Sequence, residues 1–299
     1  MTSTPIVYFN GQFVPQTEAS VSLFDHGLLY GDGVFEGIRA YNGRVFRLDE
    51  HLDRLYHSAR AILLDIPLSK AEFAEAILET CRQNGLRDAY LRPVVTRGVG
   101  DLGIDPRKCK SGATVFIIAR AIGGMFGDLY ERGLRLVTVS PRRNPPQCVS
   151  PNIKSLNYLN NILGKIEANQ RSADEGLFLD LNGFVSEATT ENFFIVKGET
   201  VLTPPTYNSL QGITRSTMLE LAAQEGFTVR ETPMTLFDVY GADEAFVTGT
   251  GAEVVPVVEL DGRTFGSGTP GPVTRQLMAA FGHYVRSVGT PIYTEVAVN

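Results

Sequence analysis

Three times along this chain a short apolar run breaks at Asn-Gly and an extended segment follows. Ile6-Val7-Tyr8-Phe9 is followed by Asn10-Gly11 and Gln12-Phe13-Val14, and Ile38 to Tyr41 by Asn42-Gly43 and Arg44 to Leu48. Leu177 to Leu181 runs into Asn182-Gly183 and Phe184-Val185, and Asp261-Gly262 would add a fourth instance. A two-residue turn with positive φ at both positions suits these dipeptides, and its twist matches that of paired strands, so each instance predicts a β-hairpin. Hairpins build antiparallel sheet, which a doubly wound nucleotide fold largely lacks.

Helical spacing appears between the hairpins. Leu48, Leu52, Leu55, Ala59 and Leu63 fall on one face of a helix that starts around Asp49-Glu50-His51. Ser69 with Glu72 forms a capping box for a helix that carries Phe73 and Ile77 and stops near Gly85. Two more helices are expected around Leu159 to Ala168 and Thr214 to Gly226, the second with Thr214 as N-cap and a terminal glycine. Three glycines within Ala121 to Asp128 break a strand-like run ahead of Leu134 to Val139. The expected organisation is a small N-terminal α+β domain over 1–121, a linker over 122–130 and a larger C-terminal domain over 131–299, each lobe α+β or mixed α/β.

With 299 residues, 43% of them hydrophobic, the chain can fill two cores. Its net charge is −6 and no Lys/Arg block is interleaved with aromatics, which argues against a nucleic-acid partner. The most apolar stretch, Thr114 to Phe126, is broken by Arg120 and Gly123-Gly124, so no membrane span is expected. The N-terminal residues carry no basic flank ahead of an apolar block, and Cys81, Cys109 and Cys148 cannot form a closed disulfide set; a cytoplasmic location is expected.

Gly98-Val99-Gly100-Asp101-Leu102-Gly103 fits a dinucleotide fingerprint and would be the sole basis for a nicotinamide oxidoreductase. Ile104-Asp105-Pro106 follows, however, where the helix that holds a pyrophosphate should begin. His26, His51, His57 and His283 do not cluster at ligand spacing and no C-x-x-C occurs, so no metal is expected. More informative is Asn152 to Asn161, where Lys154 is the one charge in a polar segment just before a helix. Glu187 follows at a strand end, an amine and an isolated acid being suited to carbonyl chemistry. Leu210 to Arg215 opens a helix whose first N–H groups and Thr214 hydroxyl form a phosphate cup, and Thr248 to Glu253 makes a small-residue turn that a ligand can approach closely. Lysine, carboxylate and phosphate cup are together the parts of a pyridoxal phosphate site.

Through His26 to Arg39, Phe46 to Leu55, the Lys154 segment, Ser186 to Phe193, Gly212 to Arg215 and Gly249 to Glu253, the sequence resembles the fold-type IV pyridoxal phosphate aminotransferases, and within them the branched-chain amino acid aminotransferases. The resemblance runs from about Tyr8 to Gly271. It implies a two-domain, D-amino acid aminotransferase-like architecture with pyridoxal 5'-phosphate between the domains. Lys154 would form the internal aldimine, Tyr158 would hydrogen-bond the phenolate oxygen and Glu187 would pair with the pyridine nitrogen. Arg54, Ile213, Thr214 and Thr250 would hold the phosphate, and Leu210 would pack on the ring.

The same resemblance implies a substrate pocket of Tyr30, Phe35, Gly37, Arg39, Tyr90 and Arg92, with Thr250 and Gly251. The reaction implied is ping-pong transamination between leucine, isoleucine or valine and 2-oxoglutarate. D-amino acid aminotransferases usually carry Arg-x-His where this chain has Arg107-Lys108-Cys109, which argues against that class. The Lys154 to Tyr158 interval is one residue shorter than in some bacterial branched-chain enzymes. Amine transaminases and aminodeoxychorismate lyases share the fold; the lyases are disfavoured by Tyr90 and Arg92. A homodimer or higher oligomer is implied, since the family brings the loop matching Gly98 to Asp105 to the neighbouring chain's pocket.

Overall fold

The computed structural model describes residues 4–123 and 126–293. Gly124 and Met125 of the expected linker therefore lie outside the described residues. The chain divides into two compact units. Of the described residues, one comprises 4–123, 153–157 and 285–293, and the other 126–152 and 158–284.

In the first unit, strands β1 (Ile6–Phe9), β2 (Gln12–Pro15), β3 (Gly33–Phe35), β4 (Ile38–Tyr41), β5 (Arg44–Val45), β6 (Ala89–Thr96) and β7 (Thr114–Ala121) join Thr290–Pro291 in an eight-stranded sheet. Its order is Thr290–Pro291, β5, β4, β6, β7, β1, β2, with β3 also on β6. Its pairings are antiparallel. Both expected hairpins form, closing at Phe9↔Gln12 and Tyr41↔Arg44. Asn10, Gly11, Asn42 and Gly43 have φ of 46°, 90°, 49° and 79°, as the two-residue hairpin turn requires.

Helices α1 (His26–Tyr30), α2 (Leu48–Ala61) and α3 (Lys70–Gln83) belong to the same unit. Leu48, Leu52, Leu55 and Ala59 of α2 are buried with Phe73 and Ile77 of α3 and with Leu91 and Ile117 of the sheet. Each such leucine contributes about 1.5–3 kcal/mol. Leu63, expected on that face, lies past the helix end at φ 52° and is 85% exposed. The left-handed turn there sends its side chain outward, and Leu64 is buried in its place. The Ser69 capping box forms with both reciprocal bonds.

The linker position predicts one domain over 131–299, yet Ile153–Asn157 and residues 285–293 pack with the first unit. Backbone pairing is the reason: Thr290 and Pro291 pair with Val45 and Arg44, Ser155 bridges Val34, and the Leu156 N–H donates to Gly33 at 2.9 Å.

The second unit holds β8 (Leu134–Thr138), β9 (Glu175–Leu179), β10 (Val185–Ala188), β11 (Asn192–Lys197), β12 (Thr200–Thr203), β13 (Thr228–Glu231), β14 (Glu244–Gly249), β15 (Glu253–Leu260) and β16 (Arg263–Thr264). Strands β10, β9, β8, β15, β14 and β11 pair in that order, and Glu187↔Asn192 joins β11 back to β10, so these strands close a ring. The pairs β8–β9, β8–β15 and β12–β13 are parallel. Leu134 and Leu136, Leu177 and Leu179, Phe193 and Ile195, Ala245 and Val247, and Val255 and Val257 all enter one core. The two-residue period puts them on one face of the ring.

The same unit holds α4 (Leu129–Arg132), α5 (Pro146–Val149), α6 (Leu159–Gln170), α7 (Ile213–Gln224) and α8 (Leu236–Tyr240). Asp261-Gly262 forms the expected tight turn, with φ of 51° and 75° and Leu260 opposite Arg263. Asn182-Gly183 does not, for only Gly183 has positive φ and pairing resumes at Val185↔Leu179. The Asp180 carboxylate organises this longer loop, accepting from the N–H groups of Asn182 and Phe184 at 2.8 and 2.9 Å. A side-chain Asx contact thus replaces the two-residue turn. Helix α7 begins one residue before Thr214, so its N-cap is Gly212; Gly226, at φ 91°, follows its end.

Candidate active site

Within the first unit, Lys154 lies on a short segment alongside β3. Its N–H donates to Ser58 Oγ at 3.1 Å, its carbonyl accepts from the Phe35 N–H at 3.0 Å, and its Nζ stands 4.8 Å from the Phe35 ring centroid. Phe35 also stacks against Arg92, whose guanidinium carbon is 4.7 Å from the ring centroid. Arg92 Nη2 donates to Tyr90 Oη at 2.7 Å. Gly37 leaves room for that hydroxyl, since a Cβ there would lie 2.3 Å from Tyr90 Oη. Lys154, Phe35, Gly37, Tyr90 and Arg92 are thereby brought together.

Arg92 sits on a mostly buried strand, and its Nε is buried with no hydrogen-bond partner among the described residues. No carboxylate among the described residues pairs with it. Arg39, opposite Tyr90 on β4, is buried with its guanidinium 4.8 Å from the Tyr41 ring centroid. Tyr30 is placed differently: its hydroxyl donates to the Leu102 carbonyl and its ring meets His26 edge-on, so it belongs with the 98–105 loop. That loop leads only to a short 3-10 turn, Pro106–Lys108, which is no helix for a pyrophosphate.

Arg54 lies one turn after His51 on α2, and both face Glu36 at the end of β3. Arg54 Nε and Nη2 donate to the Glu36 oxygens at 2.7 and 2.8 Å, and His51 Nδ1 is 2.8 Å from Oε2. Glu36 and His51 are fully buried. Burial alone would raise the Glu36 pKa, but Arg54 and His51 outweigh it and hold the carboxyl far below the usual range. Burial lowers the His51 pKa, with Arg54 and Lys154 adding to that and Glu36 opposing it. The neutral ring then donates from Nδ1.

In the second unit Glu187 is buried on β10. Arg143 Nε donates to its Oε1 at 2.7 Å, while Asn192 Nδ2 and the Leu210 N–H reach Oε2 at 3.2 and 3.0 Å. The acid expected to be isolated is therefore ion-paired, and Arg143 also donates to Asn160 Oδ1 at 3.0 Å on α6, the helix that follows Tyr158. Asn192 donates to the Leu210 carbonyl at 2.9 Å as well. A Cβ on Gly212 would fall 2.0 Å from Asn192 Oδ1, so the entry to α7, with Ile213 and Thr214 in its first turn, is shaped around that amide. Thr250 and Gly251 sit in the turn from β14 to β15, and Asn192 pairs with Thr248 beside it. Under this turn Glu191 is buried, and burial raises its pKa, reinforced by Glu175.

Arg143, Asn192, Glu36 and His51 were not singled out by the sequence. Asn192 and Glu36 fall inside stretches that carried the resemblance, but their partners are set only by the tertiary fold. Taken unit by unit, the donors suit parts of a phosphorylated aromatic aldehyde: the first unit holds an amine and a guanidinium, and the second a buried carboxylate and a helix N-terminus. The cradle at Gly212 would be filled by any Cβ.

Such a set serves amine–carbonyl exchange. Residues 33–260 match the family described as Amino-transferase class IV, a span that takes in the polar sites of both units, and the chain belongs to the class IV aminotransferases. It is 53% identical over 97% of its length to a Methanocaldococcus jannaschii protein, of which it covers 99%, provisionally named a branched-chain-amino-acid aminotransferase. It is 40% identical to the Pseudomonas aeruginosa branched-chain-amino-acid aminotransferase, covering 92% of this chain and 91% of that one. Its fold is similar to that of the T.th. branched-chain amino acid aminotransferase solved with pyridoxamine 5'-phosphate, at a TM-score of 0.92 and 38% identity over 96% of each chain. The same enzyme has been solved with N-(5'-phosphopyridoxyl)-L-glutamate and with 4-methylvaleric acid.

Proposed function

We propose that this chain transfers the amino group of leucine, isoleucine or valine to 2-oxoglutarate, using pyridoxal 5'-phosphate in two half-reactions. The observation that carries this reading is Arg92. A guanidinium whose Nε is buried without a partner is costly unless an anion completes it, and a substrate carboxylate is such an anion. Phe35 beside it offers apolar surface to a branched side chain, worth about 0.8 kcal/mol per methylene.

Bound in this chain, pyridoxal 5'-phosphate supplies an electron sink that acidifies the substrate Cα–H. Lys154 Nζ would hold it covalently, with Glu187, Tyr158, Arg54, Leu210, Ile213, Thr214 and Thr250 orienting it. Released by the incoming amine, Lys154 Nζ removes the Cα proton and later returns one, base and then acid. Glu187, fixed by Arg143 and Asn192, favours a proton on a ring nitrogen placed against it. Tyr90 orients Arg92 through the hydroxyl bond, and Arg39 is the further cation for the distal carboxylate of 2-oxoglutarate.

The test is an amino-donor screen with 2-oxoglutarate while the cofactor spectrum is recorded. Leucine, isoleucine and valine are expected to outrun alanine by at least tenfold, the effect of about two buried methylenes. A preference for D-alanine over L-leucine, or elimination of pyruvate from a chorismate-type substrate, would overturn the assignment.

We also read the chain as a homodimer or larger assembly, acting in the cytoplasm. Leu23, Leu28, Leu102 and Ile104 are exposed on α1 and its neighbouring loops, and Leu159, Ile162, Leu163 and Ile166 recur at helical spacing along the exposed side of α6. Exposed apolar area of this kind marks an interaction surface. Three unpaired cysteines suit a reducing compartment, and no helix among the described residues is long and apolar enough to cross a membrane.

A further inference from the structure

We infer that Glu36 is a positioning residue: it fixes the Arg54 guanidinium for the cofactor phosphate, with His51 holding Glu36 in turn. The inference rests on the reading of Arg54 as a phosphate ligand. Three features of the first unit lead to it.

Glu36 lies between β3 and β4, and its N–H donates to the Pro93 carbonyl at 2.9 Å, so its backbone is anchored to the sheet. Its carboxylate takes the Nε edge of Arg54 in a two-point contact, which sets both the plane and the direction of the guanidinium fork. A single bond would leave a flexible side chain free to rotate. His51, one turn earlier on α2, meets Glu36 Oε2 and keeps the carboxylate from swinging away from Arg54.

A purely structural ion pair would gain little from complete burial, because desolvation offsets most of the Coulombic attraction. Here one partner is fully buried while Arg54 retains 13% side-chain exposure. The carboxylate is the fixed end of the pair, and the guanidinium is the end that can reach solvent or a ligand. An anion-binding role suits the Arg54 guanidinium, a charged planar donor that Glu36 holds by one edge.

The experiment compares the affinities of the apo form of the full protein for pyridoxal 5'-phosphate and for pyridoxal, whose ratio reports the phosphate subsite alone. Glu36→Gln is expected to lower that ratio by about tenfold or more, the size of effect seen when a group orienting a metal-ligating side chain is removed. Pyridoxal affinity itself is expected to hold. In an Arg54→Gln background, adding Glu36→Gln is expected to have no further effect on the ratio, because Glu36 acts through Arg54. A general loss of structure would instead weaken both ligands together.

An unchanged ratio in Glu36→Gln, or an equal loss in both backgrounds, overturns the positioning role. An unchanged ratio in Arg54→Gln alone removes Arg54 from the phosphate and the inference with it, so the two failures are told apart. If Glu36→Gln does not fold, Glu36→Asp reads the same quantity, since the charge remains but withdraws from Arg54 by one methylene. It is expected to lower the ratio, and an unchanged value counts against the inference.

Discussion

At the scale of single residues, the site relies on charged groups whose partners were invisible in the sequence. Glu36 meets His51 and Arg54 across a strand and a helix, and Arg143 reaches Glu187 from a different segment. Spacing rules see neighbours along one element, and these pairs are made by the tertiary fold. Lys154 stood out as the lone charge of residues 152–161, and Glu187 as a carboxylate at a strand end followed by hydroxyls, signals local enough to read.

The buried carboxylate also has a pH signature. In the folded chain the Glu36 pKa lies below its ordinary value of 4.5, so its contribution is fully present above about 4.5 and is lost as pH falls. The His51 pKa is likewise depressed from 6.5. The unfolded chain takes up that proton first, so acidification below 6.5 also destabilises. Both shifts have the same sign. Denaturant titrations of the apo protein are expected to show wild type more stable than Glu36→Gln at pH 7, with the gap narrowing below pH 4.5 by about 1.4 kcal/mol per pH unit. A gap that stays constant down to pH 3 would mean that Glu36 is not charged in the folded chain.

At the scale of elements, local chemistry decided what could be read. The Ser69 capping box and the turns at Asn10-Gly11, Asn42-Gly43 and Asp261-Gly262 depend on adjacent residues and form as expected. The loop at Asn182-Gly183 departs because Asp180 supplies its own hydrogen bonds. Leu63 departs because α2 ends before it. The N-cap of α7 is Gly212 and not Thr214, and the Asn192 amide oxygen leaves no room there for a Cβ.

That contact gives a direct test. Gly212→Ala would force Asn192 aside, at a cost of about 1–3 kcal/mol for overpacking, and would disturb both the helix entry and the amide that supports Glu187. Pyridoxal 5'-phosphate affinity, measured by equilibrium titration, is expected to fall by about tenfold or more, since 1.4 kcal/mol is a factor of ten. Unchanged affinity would show that the α7 entry takes no part in binding.

At the scale of the whole molecule, the two units divide the expected roles. The attachment lysine, Arg54 and the substrate cations belong to the first, and Glu187 with the α7 entry belongs to the second. The sequence placed Lys154 in the C-terminal domain because it follows the linker in order. Packing instead assigns it to the first unit through its bonds to Ser58 and Phe35. Order along the chain carries no information about such a return.

The exposed stripe on α6 bears on assembly. Light scattering with size-exclusion chromatography is expected to give a multiple of the chain mass, and Ile162→Asp together with Ile166→Asp is expected to shift the population toward monomer, since a buried unpaired charge is costly. A monomer at tens of micromolar in the unsubstituted protein would refute the assembly.

The closed ring of β8, β9, β10, β11, β14 and β15 bears on how such a chain can diverge. In an open sheet, a residue gained or lost in an edge strand is absorbed by sliding that strand alone. In a ring each strand is held from both sides, and a shift by one residue turns every following side chain to the opposite face. It also changes the stagger that lets the ring close. Insertions and deletions are therefore tolerated where strands are joined and selected against within them. Variation in length among descendants of this sequence should collect in loops such as 180–184 and 204–212, while the ring strands act as a fixed ruler against which Glu187 and Thr250 keep their places.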